Sequence, residues 1–334
     1  MKSSSTRKRI GINGFGRIGR TLTRLLMEDD RFELAAINDL SDSKSLAHLY
    51  KYDSIHGRAK QEVETDGLHL LIGSTKIPFH SHSVPHEIPW RSNNVDIVVE
   101  CTGQFKTSDT LNGHISGGAK RVLLSVPPED DTIRTIVLGI NDHLISEDDL
   151  ILSNASCTTN NAAPMIQLID ELCGIESCYI TTVHSYTGDQ RLHDSPHKDL
   201  RRSRAAALSI IPTTTGAAKA LTRVFPHLND KMGGCGFRVP VPDGSLTDIT
   251  CNVRNPQSIE EINAAFRTAS SERWPAILEY TEDPIVSVDV IGNPASCILD
   301  AKLTSVIGNM VKVVGWYDNE VGYSSRLRDL LVKL

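Results

Sequence analysis

The sequence lacks long apolar runs, and this absence excludes one class of protein at once. None of its 334 residues belongs to a stretch that approaches the roughly 18–20 apolar residues of a membrane span. Residues 1–9 are rich in basic side chains but contain no apolar core of the kind that a signal peptide has. We therefore expect no membrane partner and a cytoplasmic location.

Paired cysteines are missing as well. The seven cysteines are odd in number, and no two of them form a CxxC pair. Disulfide-stapled domains and structural zinc sites use paired cysteines at regular spacings. We expect neither a disulfide framework nor a metal site, and at least one thiol must be free.

The chain also has no excess of positive charge. Its 35 Lys and Arg residues stand against 41 Asp and Glu, which gives a formal net charge of -6. A general nucleic-acid binder needs a basic surface, so we expect no nucleic acid as the primary partner. What the chain does have is 40% hydrophobic residues, enough for a large core, and a length that predicts about two domains.

The first half of the sequence alternates between strand-like and helix-like segments. Residues 9–13 form an apolar run, 14–19 a glycine turn, 20–27 an amphipathic helix and 33–37 a second apolar run. This order predicts a βαβ unit with parallel strands. Further apolar runs at 95–99, 121–125 and 135–138, with a helix-like segment at 108–117, extend it to a doubly wound α/β Rossmann domain.

The second half has longer alternating segments. Two helix-like stretches, at 162–172 and 258–270, accompany strand-like runs at 177–185, 236–241, 246–253 and 310–316. We predict an α+β catalytic domain with a mixed or antiparallel sheet. The predicted domains are residues 1–156, joined by a C-terminal helix at 319–334, and residues 157–318.

The glycine turn carries the first signal for chemistry. Gly14, Gly16 and Gly19 form a GxGxxG motif between the predicted strand and helix, and Asp39 follows Gly19 by twenty residues. The glycines let a pyrophosphate approach the helix N-terminus, while the carboxylate can bind a ribose 2′-OH and would repel a 2′-phosphate. The motif predicts NAD rather than NADP, although a turn that only packs the helix on the strand is the ligand-free alternative.

The second signal is Cys157, in the segment SNASCTTN at 153–160. It directly precedes the predicted helix, where the positive end of the helix dipole and N–H donors lower the pKa of a thiol. We predict a nucleophile, which needs a base, and His184 near the end of a predicted strand offers one. Whether the two side chains meet stays open, and a buried structural cysteine is the alternative.

Five segments together point to a family: INGFGRIGR at 12–20, ASCTTN at 155–160, HSYTGDQ at 184–190, PTTTGAAKA at 212–220 and WYDNEVGYS at 316–324. With these segments, in this order, the chain resembles the phosphorylating glyceraldehyde-3-phosphate dehydrogenases, of the NAD-dependent bacterial type. The resemblance implies a glycolytic oxidoreductase that converts D-glyceraldehyde 3-phosphate, NAD and inorganic phosphate into 1,3-bisphosphoglycerate. It also implies a cytoplasmic homotetramer.

The same resemblance implies the roles of single residues. Cys157 attacks the aldehyde to give a thiohemiacetal, His184 activates the thiol, and hydride transfer to the nicotinamide leaves a thioester that phosphate attacks. The implied phosphate ligands are Thr187 and Arg238 for the substrate, with Ser156, Thr158, Arg204, Thr215 and Gly216 for the attacking phosphate. The implied cofactor contacts, beyond the three glycines, are Arg17 and Ile18 at the pyrophosphate, Asp39 at the adenosine ribose, Thr102 and Ser125 after successive strands, and Asn319 and Tyr323 at the nicotinamide.

Three alternatives stay open at this point. Ser195, beside Pro196, is intermediate between the residues of NAD-specific and NADP-using relatives, which leaves room for weak NADP use. Erythrose-4-phosphate dehydrogenase shares the ASCTTN segment but uses water in place of phosphate, and it typically loses the SYT and TTTG patterns that this chain keeps. A non-catalytic nucleotide- or RNA-binding role is the third, and the acidic charge and the presence of both Cys157 and His184 oppose it.

Overall fold

The structure is a computed structural model that describes residues 7–334. The amino-terminal stretch considered above for targeting therefore falls mostly outside the described residues. In the described part, one compact unit contains the residues up to Ile136 together with 144–155 and 324–334. The other contains 137–143 and 156–323.

These units differ from the predicted domain boundaries at three places. Residues 137–143, 156 and 319–323 were predicted to belong with the Rossmann domain, and the structure places them in the second unit. Hydrogen bonds from side chains of that unit hold two of these stretches. In the stretch 137–143, the carbonyl of Gly139 accepts a hydrogen bond from Trp274 Nε1 at 3.0 Å. Asn319 is held in the same way, by the hydroxyls of Ser185 and Ser245.

Helices and short strands fill the described chain. The α-helices are α1 (Arg17–Met27), α2 (Ser43–Lys51), α3 (Ser108–Ser116), α4 (Cys157–Cys173), α5 (Ala217–Val224), α6 (Ile259–Thr268) and α7 (Val321–Lys333). The strands of the first unit are β1 (Lys8–Asn13), β2 (Phe32–Asn38), β3 (Tyr52–Asp53), β4 (Gly57–Arg58), β5 (Val63–Thr65), β6 (His69–Ile72), β7 (Thr75–His80), β8 (Ile97–Glu100), β9 (Arg121–Leu124), β10 (Arg134–Thr135) and β11 (Ile151–Ser153). Those of the second unit are β12 (Ile175–Ser185), β13 (Ile211–Thr213), β14 (Met232–Val239), β15 (Ser245–Val253), β16 (Leu278–Thr281), β17 (Cys297–Asp300), β18 (Ser305–Ile307) and β19 (Met310–Tyr317). None of the helices in residues 7–334 combines the length and the apolarity that crossing a membrane requires.

The first unit is built on a sheet with the strand order β10-β11-β9-β8-β1-β2-β7-β6-β5. Neighbours from β10 through β7 are parallel, and the edge formed by β7, β6 and β5 is antiparallel. Both central strands, β1 and β8, are almost wholly buried, as expected for parallel strands covered on both faces. The predicted doubly wound parallel sheet is confirmed, while the antiparallel edge was missed because its strands are short and only partly apolar.

The second unit contains a mixed sheet in the order β13-β14-β12-β15-β19-β17-β16. Strand β12 lies parallel to β14 and antiparallel to β15. Along β12, buried Ile180, Thr182 and His184 alternate with more exposed residues, so one face of this strand belongs to the core. The predicted α+β domain with a mixed sheet is confirmed.

The boundaries of two predicted elements were wrong. The helix predicted from residue 162 begins at Cys157, because Ser156 caps it by accepting a hydrogen bond from the Thr159 N–H at 3.1 Å. Its first turn consists of small polar residues, which hide helical periodicity. The strand predicted at 135–138 is only the two residues Arg134–Thr135.

Candidate functional site

The glycine turn of the first unit has two glycines that the fold requires and one that faces open space. Gly14 has a φ of +91°, and a Cβ there would lie 2.7 Å from the Thr102 nitrogen. A Cβ on Gly19 would lie 2.1 Å from the Gly14 oxygen. No atom lies within 4 Å of a Cβ built on Gly16, so a ligand can approach the backbone at the start of α1. This opening fits the pyrophosphate of a dinucleotide.

Asp39 is anchored beside this turn. Its two carboxylate oxygens accept hydrogen bonds from the backbone N–H groups of Phe15 at 2.7 Å and Ser41 at 2.8 Å. The residue lines a pocket of about 460 Å³ together with Asn13, Gly14, Gly16 and Thr102. A fixed carboxylate in such a pocket suits the ribose hydroxyls of NAD and opposes a 2′-phosphate.

Arg17 opens α1, followed by Ile18, and its side chain is held away from the turn. The guanidinium forms two hydrogen bonds with Asp53, at 2.5 and 3.1 Å. Burial raises the pKa of Asp53, but the hydrogen bonds from Arg17 and from two backbone N–H groups lower it to about 2. The pair stays ionised at neutral pH and fixes the first turn of α1.

Thr102 and Ser125 follow β8 and β9, at neighbouring carboxyl ends of the sheet. The backbone N–H of Thr102 donates to Glu100 Oε1 at 2.7 Å, and that of Ser125 donates to the Glu100 carbonyl at 3.0 Å. Ligands of open parallel sheets bind at this edge. The structure thus brings the first unit's predicted cofactor residues to one edge of one sheet.

In the second unit, Cys157 and His184 meet. Cys157 starts α4 and His184 stands near the end of β12, and Sγ lies 3.5 Å from Nε2. The other ring nitrogen, Nδ1, lies 2.8 Å from the carbonyl of Ser185. Because a carbonyl only accepts, this contact favours the tautomer that has its proton on Nδ1 and the Nε2 lone pair facing the thiol. The imidazole is therefore oriented as a base for Cys157.

Arg238 places a half-buried positive charge beside this pair. It is the partner of His184 in the parallel pairing of β12 with β14. Its Nη1 donates to the Ser185 carbonyl at 3.0 Å and to Thr187 Oγ1 at 3.2 Å, and it lies 2.9 Å from His184 Nδ1. Those two acceptors can take both Nη1 hydrogens, so the contact with Nδ1 does not require that nitrogen to accept. The arrangement joins the predicted base to both predicted ligands of the substrate phosphate.

The prediction of a lowered pKa for Cys157 was wrong. Burial raises the pKa of its thiol, and the charge of Arg238 and the hydrogen bonds of Thr158 offset this only in part. Burial and the charge of Arg238 also lower the pKa of His184 to about 3. At the start of α4, desolvation therefore outweighs the helix dipole.

The structure favours a different arginine from the one that the sequence indicated. Arg204 lies at the surface, where it pairs with the exposed carboxylate of Asp194 at 3.0 Å. Arg202 is mostly buried and donates to Asp189 at 2.7 Å and to Thr213 Oγ1 at 2.9 Å. Its charge also lowers the pKa values of His184 and Arg238. Arg202 therefore acts on the reactive residues electrostatically, and the sequence could not distinguish the two arginines because both belong to one RRSR cluster.

The remaining predicted phosphate ligands lie at the starts of two helices that pack together, α4 and α5. Ser156 caps α4, and the Thr158 hydroxyl contacts Tyr317 Oη at 3.0 Å. Thr215 Oγ1 accepts the N–H of Ala217 at 3.2 Å, and Gly216 is the N-cap of α5. Helix N-termini favour anions, so these positions are suited to phosphate.

Asn319 and Tyr323 both belong to the second unit, and the first unit resumes at Ser324. Asn319 Oδ1 accepts hydrogen bonds from Ser185 Oγ at 2.8 Å and Ser245 Oγ at 2.7 Å. Its orientation is therefore fixed, with the Nδ2 hydrogens left to face another acceptor. Tyr323 is buried in the first turn of α7.

Sequence reasoning missed Tyr317. Its hydroxyl contacts Thr158 at 3.0 Å and Thr182 at 3.2 Å, and its ring meets that of His184 edge-on at 6.0 Å. The side chain thereby ties the start of α4 to β12. The signal available was the motif at 316–324, which contains Tyr317 but does not indicate what it touches.

Comparison with known proteins agrees with this geometry. Residues 8–108 match the NAD binding domain of glyceraldehyde 3-phosphate dehydrogenase, and residues 156–319 match its C-terminal domain. The predicted NAD-binding domain is confirmed.

Several curated relatives cover almost the whole chain. Glyceraldehyde-3-phosphate dehydrogenase 2 of Streptomyces avermitilis is 51% identical over 327 residues, 97% of each chain. Glyceraldehyde-3-phosphate dehydrogenase of Mycobacterium avium is 48% identical over 330 residues, also 97% of each. Glyceraldehyde-3-phosphate dehydrogenase 2 of Bacillus subtilis is 47% identical, over 97% of this chain and 95% of its own length. The chain therefore belongs to the glyceraldehyde-3-phosphate dehydrogenase family.

Proposed function

We propose that this chain oxidises D-glyceraldehyde 3-phosphate with NAD and transfers the acyl group to inorganic phosphate, giving 1,3-bisphosphoglycerate. The observation that carries the proposal is the thiol of Cys157, 3.5 Å from Nε2 of His184. A thiol beside a correctly oriented base is the arrangement that covalent aldehyde oxidation requires. Binding of the adenosine half of the cofactor is assigned to the first unit, and acyl chemistry to the second unit.

In the first step, Cys157 Sγ attacks the aldehyde carbon and His184 Nε2 takes the thiol proton. The imidazolium returns that proton to the carbonyl oxygen, which yields a neutral thiohemiacetal. As the carbon loses its hydride, Nε2 removes the hydroxyl proton, and the carbon remains bound to sulfur as a thioester. A phosphate oxygen then displaces Sγ, and the thiolate recovers its proton from the imidazolium.

The fixed charges have separate tasks. Arg238 and Thr187 are proposed to bind the phosphate that the substrate carries, since a half-buried guanidinium makes charge-assisted hydrogen bonds with a dianion. Arg202 is proposed for the attacking phosphate in place of Arg204. Ser156, Thr158, Thr215 and Gly216 complete that site from the starts of α4 and α5.

The residues of the first unit fit NAD. The open face of Gly16, with the N–H groups of Arg17 and Ile18 at the start of α1, is proposed to hold the pyrophosphate, and Asp39 the adenosine ribose. Thr102 and Ser125 flank this site, while Asn319 and Tyr323 are proposed to orient the nicotinamide. When bound, NAD supplies the hydride acceptor.

The long loop before β13 supports the predicted homotetramer. Leu192, Leu200, Leu208 and Ile210 are 71%, 81%, 83% and 68% exposed. So many large apolar side chains in one loop indicate a surface that another protein covers, and a second copy is the simplest partner. Size-exclusion chromatography with light scattering tests this directly. A cytoplasmic location remains part of the proposal.

NADH absorbance tests the whole proposal in one assay. The purified chain is mixed with glyceraldehyde 3-phosphate and NAD, with and without inorganic phosphate, and NADP is run in parallel. We expect rapid reduction of NAD only with phosphate, and little with NADP. Phosphate-independent reduction that is faster with erythrose 4-phosphate would contradict the choice of acceptor. RNA retention at moderate salt without any reduction would favour the binding role.

A further inference from the structure

A buried carboxylate lies beneath the cofactor pocket, and the chemistry above does not use it. Glu100 ends β8 and is 0% exposed. Oε2 accepts hydrogen bonds from Asn13 Nδ2 at 2.5 Å and His114 Nε2 at 3.0 Å. Oε1 accepts from both the backbone N–H and the hydroxyl of Thr102. Two donors meet each oxygen, so the acceptor capacity of the carboxylate is filled.

The hydrogen bonds continue on both sides of Glu100. The indole N–H of Trp90 donates to His114 Nδ1 at 3.0 Å, which fixes the His114 proton on Nε2, where it reaches Glu100. On the other side, Asn13 Oδ1 accepts from Asn38 Nδ2 at 2.8 Å, and Asn38 Oδ1 accepts from the His82 N–H at 2.9 Å. We call this series, from Trp90 to His82, the polar chain.

The polar chain crosses the sheet where a ligand of an open parallel sheet binds. Glu100, Asn13 and Asn38 are the last residues of β8, β1 and β2, which are neighbours in the sheet. Three links of the polar chain, Asn13, Asn38 and His82, line the pocket with Thr102, whereas Glu100 does not. Glu100 therefore reaches the pocket only through the side chains that it holds.

A carboxylate suits this position better than an amide of the same shape. All four groups around it are donors, and an amide would turn a donor of its own toward one pair of them. That pair would be either Asn13 with His114 or the two donors of Thr102. A buried donor without an acceptor is costly, so the side chains around an amide would have to shift.

We propose that Glu100 is a positioning residue for the adenosine half of NAD, acting through Asn13 and Thr102. The inference rests on the proposed placement of the cofactor in the pocket that contains Asp39. Glu100 contacts no substrate and takes no part in the proton transfers at Cys157. It sets the affinity for NAD and leaves the chemistry of the second unit unchanged.

The test compares Glu100→Gln with Glu129→Gln in the full-length chain. Glu129 belongs to the same unit but is exposed, so its variant is a matched control for the loss of charge. For Glu100→Gln we expect the Kd and KM for NAD to rise about 10- to 100-fold, the size expected for one or two unmet donors. We expect kcat at saturating NAD, and the alkylation rate of Cys157 without NAD, to stay within about twofold of wild type. The control should match wild type in every measurement.

A double variant separates positioning from general destabilisation. If Glu100 acts through Asn13, then Asn13→Ala and Glu100→Gln combined should raise the Kd by less than the product of their single effects. Should Glu100→Gln not fold by circular dichroism, Glu100→Asp replaces it in the test. This variant keeps the charge but moves the carboxylate oxygens away from their four donors. The same loss of NAD affinity is expected. A wild-type Kd in a folded variant, or equal losses in NAD affinity and in alkylation, would overturn the inference. A wild-type protein that binds no NAD would instead contradict the proposed function.

Discussion

The two units build their sites in different ways. In the first, the cofactor pocket is formed mainly by a glycine turn, a helix start and the ends of neighbouring strands, with Asp39 held by backbone N–H groups. In the second, the reactive centre consists of the buried His184 and the half-buried Cys157 and Arg238, from three separate elements. A site made of local backbone leaves a pattern in the sequence, whereas a site made of distant side chains does not.

The two units also differ in how their surroundings shift the pKa values of buried groups. Asp53 is buried with a cationic partner and several N–H donors, and its pKa falls to about 2, so it stays ionised. Burial acts the other way on Cys157 and His184, where it raises the pKa of the thiol and lowers the pKa of the imidazole to about 3. The first unit holds an ionised carboxylate in a fixed pair with Arg17, whereas the reactive pair of the second unit is poised for proton transfer between sulfur and nitrogen. The four predictions below test this separation.

The largest effect is expected from Cys157→Ser. The hydroxyl is a far weaker nucleophile than the thiol, so turnover should fall by at least about 10⁴-fold. Binding of NAD, measured by calorimetry, should stay within about twofold of wild type, because the pocket residues lie in the other unit. Residual turnover near the wild-type rate would contradict the role of Cys157 as the nucleophile. A loss of NAD binding would contradict the separation of cofactor binding from thiol chemistry.

Replacing the base should have the next largest effect. His184→Asn removes the group that takes the thiol proton, and general-base catalysis contributes about 10²-fold or more. Alkylation of Cys157 by iodoacetamide at neutral pH should slow by about that factor and recover as the pH rises, because the fraction of thiolate then increases. The NAD affinity is the internal control. Alkylation at an unchanged rate would remove His184 from its proposed role.

Two neighbouring arginines form a matched pair for the phosphate site. Arg202→Gln removes a mostly buried cation and should raise the KM for inorganic phosphate about tenfold. Arg204→Gln removes an exposed cation and should change that KM by less than about twofold. Steady-state kinetics with varied phosphate decide between them. A larger rise in this KM for Arg204→Gln than for Arg202→Gln would support Arg204 as the phosphate ligand and contradict the choice of Arg202.

The smallest effect concerns Asp53→Asn, which breaks the ion pair at the start of α1. The folded pKa of about 2 lies below the ordinary carboxyl value, so the ionised form stabilises the fold above about pH 4. That contribution is lost as the pH falls through about 2. The variant should melt at a lower temperature than wild type near neutral pH, and the difference should narrow in acid. A difference that does not change with pH would contradict this assignment.

Part of the fold and the site could be predicted from the sequence, for physical reasons. The βαβ pattern and the motif with Asp39 predicted the parallel sheet, since helical and strand periodicities are local properties. The short strands at 63–80 were missed because they contain too few residues for a period to show. Residue chemistry offered His184 as a base for Cys157, but it left open whether the two side chains meet, because they are 27 positions apart and joined by folding.

The pKa of Cys157 and the choice between Arg202 and Arg204 could not be predicted from the sequence. Both depend on burial, which is decided by packing around α4 and the long loop. A helix start alone predicts a lowered thiol pKa, whereas the packed structure reverses the direction. Glu100 showed no sequence signal, because its four donors come from three segments of the chain.

The most direct test of the central claim is the mass of the protein after a single turnover without phosphate. Wild-type protein is mixed with NAD and glyceraldehyde 3-phosphate, quenched in acid and digested. The account predicts one 3-phosphoglyceroyl adduct on the peptide that contains Cys157, and its disappearance when inorganic phosphate is added before the quench. An adduct on another residue, or NADH formed with no adduct and no effect of phosphate, would contradict it.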